Sequence, residues 1–186
     1  FCAIQTYSIL GKKLPKANKF AVITLSGGET TISADLAERF SIELPELAEE
    51  TREKLNTILP NFAVAKNPVD MTTDLLGDPE RLGKLFEYIG EDENIEAIIT
   101  GLNFEDGTIA EGYGYDMNGF LAKPLLDYQK KPGSVPIIVI PQFEQKRSMK
   151  WRMELKNANI PIMSLGEIGY SVVGKLANHL SYDPAI

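Results

Sequence analysis

At 186 residues the chain is long enough for one α/β domain with a sizeable core, and two domains would be cramped. Its 44% hydrophobic and 24% charged residues are those of an ordinary globular protein, and a net charge of -7 argues against nucleic acid as the main partner, because phosphate-backbone binding needs a basic surface. The single cysteine, Cys2, excludes an internal disulfide framework and fits a reducing cytoplasm, while no apolar run approaches a membrane span and no signal peptide is visible.

The opening "FCAIQTYSIL" has no methionine and reads as helix, with apolar Ile4, Tyr7 and Leu10, before Gly11 and Pro15 break it. A start inside a helix is expected of a chain cut from something longer, with proteolytic processing as the alternative. Residues 1–18 read as a linker or the end of a preceding helix, 19–180 as the domain, and 181–186 as a C-terminal linker.

From Phe20 onward, short apolar runs alternate with helical periodicity. The strand candidates are "FAVITL" (20–25), "FAVA" (62–65), "AIIT" (97–100), "PIIVI" (136–140) and "IPIM" (160–163), mostly β-branched and short like buried parallel strands. The first helix carries Ile32, Leu36 and Phe40 as its apolar stripe, and a second, over 46–59, carries Leu55 and Ile58. In "GDPERLGKLFEYIG", Asp78 suits an N-cap and Pro79 the first helical position, ahead of a Leu82, Leu85, Phe86, Ile89 stripe. Helices near 115–130, 145–158 and 165–180 complete the series. In the helix over 145–158, Met149 and Met153 are expected to turn inward, leaving Lys146, Arg147, Lys150, Arg152 and Lys156 on a charged exterior or facing a nucleotide or neighbouring domain.

Such alternation predicts a three-layer α/β/α domain of flavodoxin-like (Rossmann-like) type, with a five-stranded parallel sheet in the order 2-1-3-4-5. Ligands of open parallel sheets bind at the carboxyl ends of the strands where the order reverses, here between the first and third. Two glycine-rich loops border that crevice: "SGGETT" after the first strand and "LNFEDGTIAEGYGYD" after the third.

Two readings of "SGGETT" stand side by side. Gly27 and Gly28 let the backbone turn sharply and approach a ligand, so the helix start at Ser26, Gly27, Gly28, Glu29 and Thr30 is a candidate phosphate-binding site. The same residues match a capping box, with Ser26 capping and Glu29 reaching back to the Ser26 N–H, and that carboxylate would compete with an outside anion. A flavin reading is the weakest, because Glu29 falls where a flavin-phosphate loop wants a hydroxyl and no aromatic pair is placed to sandwich a ring.

In the second loop, Asn103, Glu105, Asp106 and Gly107 are candidate crevice residues. Glu105, Asp106, Glu111 and Asp116 could form an acid/base pair or hold Mg²⁺, but their spacing matches no ligand loop, which favours a solvated loop. In "NPVDMTTD" (67–74), Asn67 and Asp70 are expected to organise a turn through side-chain-to-backbone bonds. The lone His179 fits a structural place against a helix C-terminus better than a metal or catalytic role.

Read together, "LPKANKFAVITLSGGETTISADLAERF", "IELPELAEETREKL", "KNPVDMTTD" and "IPIMSLGEIGYSVVGKLA" resemble one domain of the NDP-forming acyl-CoA synthetases, the superfamily that includes succinyl-CoA synthetase. The resemblance runs from Leu14 to about Ala177, and the order of the motifs is more specific than any one of them. In single-chain members the similar piece follows a CoA-binding domain and a succinyl-CoA-ligase-like domain and precedes an ATP-grasp domain. The resemblance implies a flavodoxin-like fold and a part in making acyl-CoA from an acid, CoA and ATP or another NTP with Mg. A phosphohistidine carries the phosphoryl group, and helix N-termini stabilise it. Ser26-Gly27-Gly28 matches the loop opening one such helix.

The match departs from the family pattern at Leu25, where an Asn is usual, and at Glu29-Thr30, which replace a small pair. It also implies that the catalytic histidine belongs to the preceding domain, so that this chain alone holds no catalytic residue, binds no cofactor tightly, and works with CoA-binding and ATP-grasp domains or subunits in the cytoplasm, with a homo-oligomer also allowed. No nucleic-acid or membrane partner is implied. A non-catalytic binding or scaffolding domain of the same fold is the alternative, favoured by Leu25 and Glu29.

Overall fold

The computed structural model describes residues 2–11, 13–104, 117–141 and 148–180. Its strands are β1 (Phe20–Thr24), β2 (Val69–Asp70), β3 (Ala97–Thr100) and β4 (Ile137–Val139). Its helices are α1 (Cys2–Leu10), α2 (Gly27–Arg39), α3 (Glu49–Asn56), α4 (Pro79–Gly90), α5 (Met117–Gln129), α6 (Met149–Asn157) and α7 (Gly166–Leu180), with a 3-10 turn over Thr73–Gly77.

All strand pairs are parallel and the order is β2-β1-β3-β4. The expected fifth strand is reduced to a single bridge, Val139 with Ile162, on the outer side of β4. Two hydrogen bonds make it, Val139 N–H to the Pro161 carbonyl at 2.9 Å and Met163 N–H to the Val139 carbonyl at 2.8 Å. The bridge stands where the fifth strand of the 2-1-3-4-5 order belongs, in a four-stranded sheet.

Alternate strand residues feed two cores. Ala21, Ile23, Ile98, Ile137 and Val139 pack with Leu82, Leu85, Phe86 and Ile89 of α4, Leu121 and Leu125 of α5, and Leu155 of α6. Phe20, Val22, Ala97, Ile99 and Ile138 pack on the other side with Ala37 of α2 and Tyr170, Val173, Leu176 and Ala177 of α7. Leu10, in the 1–18 stretch, is fully buried in this second core, and α1 lies against α7. In α4 the Asp78 side chain accepts from Arg81 N–H at 3.0 Å and Pro79 opens the helix, as the sequence predicts.

Three sequence expectations are corrected. The second strand is Val69–Asp70, and "FAVA" (62–65) is none: Phe62 and Val64 are exposed and only Ala65 is buried. The reason lies in Asn67, whose Oδ1 accepts from Val22 N–H at 2.9 Å and whose Nδ2 donates to the Phe20 carbonyl at 2.8 Å and the Pro45 carbonyl at 3.0 Å. A side-chain amide does the pairing beside β1, so the backbone ladder begins only past Pro68, which has no N–H. In α2 the buried line is Glu29, Ser33 and Ala37; Leu36 and Phe40 of the expected stripe pack half-buried against the second core, while Ile32 is 54% exposed, because the capped first turn fixes the rotation of the helix. In α6, Met149 and Met153 face solvent, since Trp151, Leu155 and Ala158 supply the inward face.

Candidate functional site

The first turn of α2 stands at the carboxyl end of β1. Ser26 is extended (φ -157, ψ 155) and its hydroxyl accepts from Glu29 N–H at 3.3 Å, while its carbonyl accepts from Thr30 N–H at 3.0 Å. The Glu29 carboxylate turns back and accepts from Leu25 N–H at 2.9 Å. The cap expected from the sequence is present, with Leu25 rather than Ser26 as the returning donor. Thr30 and Thr31 donate their hydroxyls to the Gly27 carbonyl at 2.6 and 3.1 Å. Ser26, Gly27 and Gly28 are exposed, and the Gly27 and Gly28 amides have no acceptor among the described residues. These amides stand at the positive end of the helix, an arrangement of donors that suits an anion.

Two carboxylates share the turn. Glu29 is buried, and burial is the first cause that raises its carboxyl above the usual range; the Leu25 N–H opposes this and the Asp70 charge adds to it. Asp70 comes from the end of β2: its Oδ1 accepts from Thr72 N–H at 2.9 Å, and its Oδ2 lies 3.7 Å from where a Cβ on Gly27 would stand. Behind Glu29, one turn along the helix, Ser33 is fully buried, and so is Tyr170 on α7. Burial above all, with help from the Glu29 charge, pushes the Tyr170 phenol up to about 12. The Ser33 hydroxyl beside it pulls the other way, though neither oxygen has a hydrogen-bond partner of good geometry.

No protein-family model matches the chain. Its sequence is 38% identical over 87 residues to the alpha subunit of the ADP-forming acetate–CoA ligase II of Pyrococcus furiosus, covering 46% of this chain and 18% of that protein. It is 33% identical over 94 residues to the ADP-forming acetate–CoA ligase I of Archaeoglobus fulgidus, covering 50% and 13%. A third relative is a trans-feruloyl-CoA synthase from an unknown prokaryotic organism, 31% identical over 121 residues. Over about half of its length the chain is thus similar in sequence to ADP-forming acetate–CoA ligases.

Among solved structures, a Pyrococcus horikoshii protein matches with TM-score 0.71 at 22% identity, over 97% of this chain and 40% of that one. The dinucleotide forming acetyl-coenzyme A synthetase 1 of Ca. Korarchaeum cryptofilum, with phosphate and ADP, matches with TM-score 0.70 at 15% identity, over 99% and 39%. At these identities the likeness concerns the fold. The chain thus spans less than a fifth of the length of the curated synthetase relatives named above.

In this chain the 25–28 turn and residues 101–104 flank the β1–β3 crevice, as the strand order requires. Asn103 is half-buried there, between buried Leu102 and Phe104. Glu105, Asp106 and Gly107, like Glu111, Asp116, Lys146 and Arg147, lie outside the described residues. Sequence reasoning missed Asp70 as a neighbour of Gly27; the signal was its place at the end of the strand beside β1. Asn67 does bond the backbone, but across to β1 rather than within its own turn.

His179 is exposed in the last turn of α7, its ring 6.0 Å edge-on from Tyr7. Lys150 lies 4.5 Å over the Trp151 ring. Among the described residues no three His, Cys, Asp or Glu side chains could hold a metal, and no helix is long and apolar enough to cross a membrane.

Proposed function

We propose that this chain is the flavodoxin-like segment of an acid–thiol ligase that makes an acyl-CoA from a carboxylic acid, CoA and ATP or another NTP, and that the start of α2 steadies phosphoryl charge in that reaction. The observation that carries this reading is the pair of exposed Gly27 and Gly28 amides at the carboxyl end of β1, in a chain related to ADP-forming acetate–CoA ligases. Ser26, Glu29 and Thr30 build the turn, and Asn103 borders the crevice. Preset amides stabilise phosphoryl charge with little reorganisation, which suits a transfer whose chemistry lies mainly in positioning.

The histidine that carries the phosphoryl group, the CoA-binding and ATP-grasp parts, and Mg with the nucleotide belong in this reading to the rest of the enzyme, working in the cytoplasm. The chain alone forms no product.

Gly28→Val in the complete enzyme tests this. Among the described residues a Cβ at Gly28 meets only the Ser26 hydroxyl, at 4.0 Å, so the segment keeps its fold while the branched side chain blocks approach to the amides. Acyl-CoA formation should fall by roughly 100-fold or more, the scale of losing one preset donor. Normal turnover with an unchanged melting curve would remove the phosphate role.

The second reading, a binding or scaffolding domain without that role, is favoured by Glu29 and Asp70 beside the same amides. Under it, Gly28→Val is silent in turnover and weakens only assembly with the other segments.

A further inference from the structure

The sheet has an open edge on the far side from Asp70. Pro161 and Met163 use their carbonyl and N–H to pair with Val139, so the N–H and C=O of Ile162 between them point away from β4. Neither has a partner among the described residues. This edge is the floor of a groove of about 170 Å³ between α1 and α6. Ile9 stands on one wall; Met149, Arg152, Met153 and Lys156 line the other, at i, i+3, i+4 and i+7 on one face of α6.

Met149 and Met153 are 63% and 52% exposed. Arg152 and Lys156 are exposed and have no acidic partner among the described residues, in a chain of net charge -7. None of the described residues lining the groove is acidic.

We propose that this groove is a docking site for an extended acidic segment of a partner protein, which adds to the sheet at Ile162 and alternates apolar with acidic side chains. Backbone pairing at Ile162 supplies the register, the two methionines adapt to the apolar side chains, and Arg152 and Lys156 select the acidic ones. A second copy of this chain is disfavoured as occupant: antiparallel pairing of two such edges about a two-fold axis sets the α6 stripes face to face, cation against cation. The site is beyond β4, away from β1 and its α2 turn, and stands without the ligase reading.

The test uses the whole chain and a short fluorescent peptide alternating Val and Glu, with a Val/Lys peptide as control. The acidic peptide should bind at least about tenfold more tightly than the basic one, weaken with salt, and slow hydrogen exchange at the Ile162 amide. R152E/K156E, both at exposed positions, should reverse the preference while the melting curve is kept. Equal binding of both peptides, an unchanged preference in the double variant, or no slowing at Ile162 overturns the proposal. Aggregation of the double variant without peptide binding by the native chain also overturns it, since the cations would then only guard an open edge. Gly28→Val should leave peptide binding as it is, which separates this site from the α2 turn.

Discussion

Glu29 puts a carboxylate into the turn whose amides would otherwise face an anion alone. Its pKa lies above the ordinary 4.5, first through burial, with Asp70 adding and the Leu25 N–H opposing. The sign follows from linkage: below pH 4.5 folded and unfolded chains both hold the proton and nothing is lost. As pH rises through 4.5 and on through the higher folded value, the folded chain is penalised for ionising a buried acid. Glu29→Gln keeps an acceptor for Leu25 N–H and removes that charge. It should match the native chain in thermal melts at low pH and exceed it at neutral pH, with the gap opening above pH 4.5. A variant less stable at neutral pH than at low pH, relative to the native chain, would mean that the ionised carboxylate holds the turn together. Tyr170 and Asp70 are the other titratable groups facing Glu29, so the comparison belongs in an Asp70→Asn background as well.

Two elements owe their positions to single residues. Asn67 bonds β1 through Val22 N–H and the Phe20 carbonyl and reaches the Pro45 carbonyl, which ties the β2 approach and the Pro45 loop to the same strand. Asn67→Ala strands a buried N–H and two carbonyls and should cost about 2–4 kcal/mol in urea unfolding. A loss under about 1 kcal/mol would show that β2 pairs without it. Gly174 lets α7 lie on the end of α2: a Cβ there would stand 2.4 Å from the Phe40 carbonyl oxygen and 2.8 Å from the Phe40 Cβ. Backbone cannot step aside as a side chain can, so Gly174→Ala should destabilise by about 2 kcal/mol or more. Gly77→Ala, with nothing within 4 Å, is the control that should change little.

Both cores hang on one sheet, and their residues alternate along the same strands, so the molecule should unfold as one unit. Trp151 packs against the α4–α5 side, whereas Gly174 belongs to α7 on the other. Trp151 fluorescence and far-ultraviolet circular dichroism should melt together, and Gly174→Ala should lower both midpoints equally. Separated transitions would mean that the layers unfold apart. Much of this architecture was legible in the sequence: β1, β3 and β4 lie in short runs dominated by β-branched residues, and α4 carries its cap and its stripe in plain order. β2 was not, because a side-chain amide pairs where a strand was sought. Ile32, Met149 and Met153 misled because apolar spacing gives a face but not its rotation. The Ser26 cap was visible, while Asp70 entered the site through strand order, a long-range fact that no local pattern carries.

The contact of Gly174 with Phe40 sits just past the C-terminal end of α2, and the candidate turn sits at the other end. That makes the helix a lever with its pivot at Phe40. Over the 13 residues of α2, about 20 Å, a swing of about 5° carries the Gly27 end through about 2 Å. The hinge is hard, being backbone on backbone, and the free end is latched by the Ser26 cap and the Glu29 tether to Leu25. Whatever loosens that latch moves the Gly27 and Gly28 amides far more than it moves the core.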